Sequence, residues 1–110
     1  MDKETTERDL SAFISRLQTE VHPELVLLFG SRARGDSHPN SDYDLIIVSE
    51  KFQGMRWRDR VSYLIKLWDR NDSVDLIPYT RAEFDSKKND FLAVRTAVNE
   101  AVQLLPVRPH

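Results

Sequence analysis

Apolar positions along the 110-residue chain follow two different periods. Leu10, Phe13, Ile14 and Leu17 recur at helical spacing, which predicts a helix over about Lys3 to Glu20, closed by His22-Pro23. Leu25-Val26-Leu27-Leu28-Phe29 is a short unbroken apolar run, read as a mostly buried strand that Gly30 breaks. Ser31 to Gly35 can open a short helix, and the polar set from Asp36 to Ser41 reads as a loop. Asp42 to Ser49 is the second strand, with Leu45-Ile46-Ile47-Val48 as its buried part. From Arg56 to Trp68 the helical period returns, with Trp57, Val61, Leu64, Ile65 and Trp68 on one face and charges on the other. Ser73 to Tyr79 is the third strand, and Pro78, which has no N–H for a ladder, puts its end at an edge. Thr80 with Glu83 reads as a capping box opening a helix through about Lys87. Phe91, Val94, Ala97, Val98, Ala101, Val102 and Leu105 form a last helical stripe whose final residues can instead turn into a short strand.

This order predicts an α/β (α+β) fold, a small mixed sheet flanked by about four helices. Strand directions follow from the polar residues at the strand ends. Gly30 ends the first strand and Asp42 begins the second, so the two run antiparallel if they share a site. Asp75 lies near the start of the third strand, which must then run parallel to the second. The Arg56–Trp68 helix supplies the crossover such a parallel pair needs. The length fits one domain over residues 1–110, with 106–110 as a tail frayed by Pro106 and Pro109.

Composition narrows the chemistry. The absence of cysteine excludes disulfides, thiolate metal sites and cysteine nucleophiles, and suits a reducing cytoplasm. The polar start, Met1 to Glu7, has no apolar stretch after it, so no signal peptide is expected, and no apolar run is long enough to span a bilayer. A net charge of -2 weighs against nucleic acid as the main partner, since proteins that grip a phosphate backbone usually carry a basic excess.

Asp42 and Asp44 are two apart on a strand, so both carboxylates point to one face while Tyr43 points to the other. Two like charges that close repel unless a cation lies between them, and an all-oxygen donor set suits Mg²⁺ or Mn²⁺. Asp75 interrupts an apolar strand, Val74-Asp75-Leu76-Ile77, where a charge must be paired, metal-bound or solvated. Taken singly, each aspartate is equally readable as a strand-end residue facing water. Together at one end of neighbouring strands, they are candidate metal ligands.

Gly30-Ser31 follows the first strand directly. Glycine allows a tight exit and a close approach of backbone to ligand, and a helix start favours anions through its free N–H groups. Ser31 can cap that helix or donate to a phosphate, and Arg32 and Arg34 add guanidinium groups. On its own this turn is readable as a simple N-cap with surface arginines. It lacks the G-x-x-x-x-G-K-[ST] pattern, which excludes P-loop chemistry.

The full stretch, Gly30-Ser31-Arg32-Ala33-Arg34-Gly35 followed by Ser41-Asp42-Tyr43-Asp44-Leu45, resembles the signature of the DNA-polymerase-β-like nucleotidyltransferases, G-S-x-A-R-G, a loop, then S-D-x-D-L. The spacing fits without insertion or deletion, and Asp75 resembles the third carboxylate of that superfamily. The length is similar to that of its minimal nucleotidyltransferases (MNT), many of which resemble antitoxins paired with a HEPN-type toxin. The resemblance implies that Gly30, Ser31 and Arg34 bind the nucleotide. It also implies that Asp42, Asp44 and Asp75 hold two Mg²⁺ ions and form the catalytic set. The implied reaction moves AMP from ATP to a hydroxyl on a HEPN-type partner. Two other readings stay open: an antitoxin that only binds its partner, and an antibiotic-type enzyme acting on a small molecule, with a homo-oligomer completing the acceptor site.

His22, His38 and His110 show no metal-ligand spacing, although His38 falls in the motif loop. Arg56, Arg58 and Arg60 read as a charged helix face, and Trp57 and Trp68 as core. An exposed Trp57 would instead point to an interface. Tyr43 and Tyr79 read as sheet residues.

Overall fold

A computed structural model describes residues 3–30 and 43–106. The predicted Ser31–Gly35 helix and the loop after it, with Ser31, Arg32, Arg34, His38 and Asp42, lie outside the described residues, as do 107–110 of the tail.

The first helix, α1 (Lys3–Glu20), buries Leu10, Phe13 and Leu17, which are at most 2% exposed. It stops where His22 takes a left-handed conformation (φ 46°), with the Val21 and His22 N–H groups both donating to the Leu17 carbonyl. Strand β1 (Leu25–Phe29) follows, then β2 (Tyr43–Val48) and a 3₁₀ turn at Glu50–Phe52. Helix α2 (Trp57–Ile65) carries the chain across to β3 (Val74–Tyr79). Helices α3 (Arg81–Asp90) and α4 (Leu92–Glu100) lead to a short last strand, β4 (Val102–Leu105).

The sheet has the order β3-β2-β1-β4. β1 runs antiparallel to β2 and to β4, and β2 runs parallel to β3. The mixed sheet and its directions are those expected from the placement of the polar strand ends. Of the two outcomes open for the last stripe, the strand holds from Val102 onward. Phe91, counted in that stripe, is 51% exposed and sits at the junction of α3 and α4, capping both.

Two cores lie on opposite faces of the sheet. One joins α1 and the α2 region to Val26, Leu28, Tyr43, Leu45, Ile47 and Leu76. The other joins Phe84 of α3 to Leu27, Ile46 and Val48, with Phe29, Ile77, Tyr79, Val98 and Ala101 packed around them. Cover on both faces is why Leu45 to Val48 is a continuous apolar run rather than an alternating one.

Two expectations about α2 need correction. The helix ends at Ile65, and only part of its predicted apolar face is buried: Leu64 and Trp68 enter the core, while Trp57 and Ile65 are 47% and 46% exposed. Arg60 is buried instead, beside Leu64, so it does not belong to a charged outer face. The reason is polar satisfaction. The Arg60 guanidinium donates to the carbonyls of Met55 (3.0 Å) and Pro78 (3.3 Å), and to both carboxylate oxygens of Glu83 (2.6 and 3.2 Å). A guanidinium with that many acceptors can enter a core that an unpaired one could not. The bond to Pro78 also occupies a carbonyl of β3, an edge strand that already lacks a donor at that residue.

Candidate functional site

The site grows from the ends of three adjacent strands. β1 exits through Gly30, β2 begins beside it, and β3 begins next to β2. In the ladders Phe29 is the partner of Asp44, and Asp44 is the partner of Asp75. Paired residues on adjacent strands point to the same face, and the strands are about 4.8 Å apart. The two carboxylates therefore stand side by side on the face that carries Leu27, Ile46 and Ile77.

Tyr43 lies on the opposite face and is buried there, as its period-two position requires. Asp44 is half-buried and Asp75 is exposed. The apolar floor formed by Phe29, Ile46 and Ile77 ends where the two carboxylates begin, which sets them at the mouth of the sheet rather than in its core.

Gly30 adds a contact that its place in the sequence does not reveal. Its φ is +81°, in the region that favours glycine, and its backbone lies against the Asp44 carboxylate. A Cβ built there would collide with Asp44 Oδ2 and lie 3.4 Å from its Cγ. Glycine thus suits the position twice: the turn takes a positive φ, and any Cβ would make the Asp44 carboxylate shift.

Gly30, Asp44 and Asp75 are brought together, while Asp42, Ser31 and Arg34 lie outside the described residues. Among the described residues no cluster of three or more potential metal-ligating side chains occurs. The pair at Asp44 and Asp75 provides oxygen donors only, the chemistry a hard divalent cation takes. Two carboxylates held as ladder partners are also an arrangement in which like charges favour a cation between them.

The family model of the nucleotidyltransferase domain matches residues 10–100, a span that includes Gly30, Ser31, Asp42, Asp44 and Asp75. The chain belongs to the nucleotidyltransferase domain family. Solved structures share the fold of this nucleotidyltransferase domain at low identity. One described as a putative nucleotidyltransferase from Sulfolobus solfataricus is 24% identical, with a TM-score of 0.57 over 94% of this chain and 87% of that one. A toxin-antitoxin structure with AMP-PNP is 23% identical, with a TM-score of 0.56 over 87% of this chain and 73% of that one. BolA1 from Arabidopsis thaliana is 24% identical, with a TM-score of 0.52 over 66% of this chain and 92% of that one. Likeness at this level is one of fold, and the presence of BolA1 beside nucleotidyltransferases illustrates that fold alone does not choose an activity. A search of curated proteins finds no match.

Sequence reasoning missed two groups. Arg60 with Glu83 gave no signal, because a basic residue on an amphipathic helix is ordinarily solvated. Arg70 stacks on Tyr43 and Trp68 beside the start of β3; its only trace was a charged run, Asp69-Arg70-Asn71-Asp72, that reads as a loop. Among the described residues, no helix is long and apolar enough to cross a membrane.

Proposed function

We propose that this nucleotidyltransferase domain is metal-dependent and transfers AMP from ATP to a hydroxyl on a HEPN-type toxin partner, as an antitoxin of the minimal group. The observation that carries the reading is the pairing of Asp44 with Asp75 across β2 and β3, with the Gly30 backbone against Asp44. The donor set fits Mg²⁺ or Mn²⁺, and the bare Cα of Gly30 leaves room for the Asp44 carboxylate. Asp42, Asp44 and Asp75 would hold the ions. When bound, they supply positive charge against the phosphate oxygens and make the attacking hydroxyl more acidic.

The chain's own groups do the rest. Gly30 and Ser31 present N–H and hydroxyl donors to the triphosphate, with Arg34 adding charge. The exposed carboxylate of Asp75 accepts the proton of the acceptor hydroxyl. The hydroxyl oxygen bonds to the α-phosphorus, the bond from that phosphorus to the α–β bridging oxygen breaks, and pyrophosphate leaves. A protein acceptor is supported by the fold shared with a toxin-antitoxin structure with AMP-PNP. It is also supported by Trp57, whose exposed ring lies 5.5 Å from that of Tyr79, the kind of surface aromatic that interfaces use.

The test is to incubate the protein with ATP, Mg²⁺ and the product of the adjacent gene, and weigh that product by mass spectrometry. A mass increase of one AMP, lost in Asp44→Ala and Asp75→Ala, is expected. Equal masses with wild type and variants would overturn the enzymatic reading. Full neutralisation of the partner by those same variants would favour binding alone.

A further inference from the structure

On the face of β2 and β3 opposite to the carboxylates, charged and aromatic side chains gather around Arg70. Its Nε donates to Asp72 Oδ1 (2.8 Å) and its terminal nitrogen Nη2 to Oδ2 (2.5 Å), a two-point pair. The same guanidinium lies 5.2 Å from the centre of the Tyr43 ring and 5.4 Å from that of Trp68. Trp68 donates its indole N–H to the Asp72 carbonyl (2.9 Å), meets Tyr43 edge-on at 5.7 Å and meets Phe13 edge-on at 4.9 Å. The Tyr43 N–H in turn donates to the Ser73 carbonyl (3.0 Å).

The placement in sequence gives these contacts their meaning. Tyr43 sits between Asp42 and Asp44, and Asp72 is three residues before Asp75. Arg70 therefore joins the start of β2 to the start of β3 at the point where each strand delivers a carboxylate. Strand ends are where ladders open first, and two neighbouring negative charges push these ends apart. Arg70 and Asp72 carry opposite charges, so together they add no net charge at the starts of the two strands. Only a planar fork can bind both oxygens of Asp72 and stack on two rings at once; an ammonium cannot.

We propose that Arg70 is a positioning residue that, with Asp72, clamps the start of β3 onto Tyr43 and so sets the separation of the Asp44 and Asp75 carboxylates. The proposal rests on the reading of those carboxylates as a metal site, and its test keeps the two apart. Mn²⁺ affinity is measured by electron paramagnetic resonance for wild type, Arg70→Lys, Arg70→Gln and Asp72→Asn. Ser49→Ala serves as the stability-matched control. Ser49 is buried at the other end of β2, where it donates to the Val21 carbonyl and accepts from the Lys51 N–H, so its loss weakens the fold away from the site.

Substituting a group that holds metal ligands in place typically costs about tenfold or more in affinity. That loss is expected for the Arg70 and Asp72 variants, Arg70→Lys included, and not for Ser49→Ala at a comparable fall in Tm. In the transfer reaction kcat is expected to fall while KM for ATP holds. Arg70 variants that bind Mn²⁺ as wild type does, or a Ser49→Ala protein that loses as much, would overturn the proposal. Should wild type bind no Mn²⁺, the metal-site reading fails. Amide hydrogen exchange then decides the clamp alone. Lost protection of the Tyr43 amide in Arg70→Gln but not in Ser49→Ala supports it, and retained protection overturns it.

Discussion

At Gly30 a single missing carbon does two jobs. The turn out of β1 needs a positive φ, which costs a residue with a Cβ about 1–2 kcal/mol. The Asp44 carboxylate occupies the space a Cβ would need. Gly30→Ala is therefore expected to cost at least the conformational term in a urea unfolding curve, and to displace Asp44 as well. Displacement predicts that the proposed transfer activity falls further than stability does. Transfer rates measured well below the Tm check this; a variant that is destabilised but fully active would show that Asp44 needs no fixed position. Asp75, more exposed than Asp44, has less packing to lose. Asp75→Asn is expected to leave the unfolding free energy within about 0.5 kcal/mol of wild type, as surface substitutions do, while removing transfer.

Helix ends are the second scale at which the structure is readable as chemistry. α3 opens with a complete capping box. The Thr80 hydroxyl accepts from the Glu83 N–H (3.3 Å), and the Glu83 carboxylate accepts from the Thr80 N–H (2.8 Å). Thr80→Ala is expected to cost about 1 kcal/mol by thermal unfolding. α1 closes less favourably, on His22 at φ 46°, where glycine is the usual solution. His22→Gly is expected to stabilise by about 0.5–1 kcal/mol, raising the Tm; an unchanged or lower Tm would mean the imidazole contributes contacts that offset its strain. These elements also show what sequence can and cannot convey. The capping box, the strand directions and the opposite faces of Tyr43 and Asp44 all follow from spacing a few residues long, and each holds. The burial of Arg60 does not follow, because it depends on acceptors at Met55, Pro78 and Glu83 that reach it only once the chain is folded. The pairing of Gly30 with Asp44 is likewise a tertiary fact: the motif marked both residues but not their contact.

Arg60 and Glu83 link these elements across the whole molecule. The Arg60 side chain is 7% exposed and bridges α2, the end of β3 and the first turn of α3, while Glu83 is 42% exposed. The hydrogen bonds from Arg60, aided by those from Thr80, hold the Glu83 carboxyl below its ordinary range despite some desolvation. A carboxyl lowered in the folded state binds fewer protons there than in the unfolded chain. Its stabilisation is therefore complete above the unfolded value, near pH 4.3, and is lost as pH falls through that value toward the folded one. Because Glu83 is partly solvated, screening reduces the gain, and salt reduces it further. Glu83→Gln should thus be less stable than wild type near neutral pH, with the gap closing in acid below about pH 4. Arg60→Met is expected to cost more than Glu83→Gln, since it removes the donor from two carbonyls as well as from Glu83. Urea unfolding of the three proteins across pH 3–7, about the range in which a glutamate titrates, checks both statements. A gap that stays constant with pH would show that the Glu83 charge adds no stability, since a glutamine there can still accept from the Thr80 N–H. The bridge lies at the end of β3 away from Asp75, so these variants should keep the transfer activity of whatever fraction remains folded.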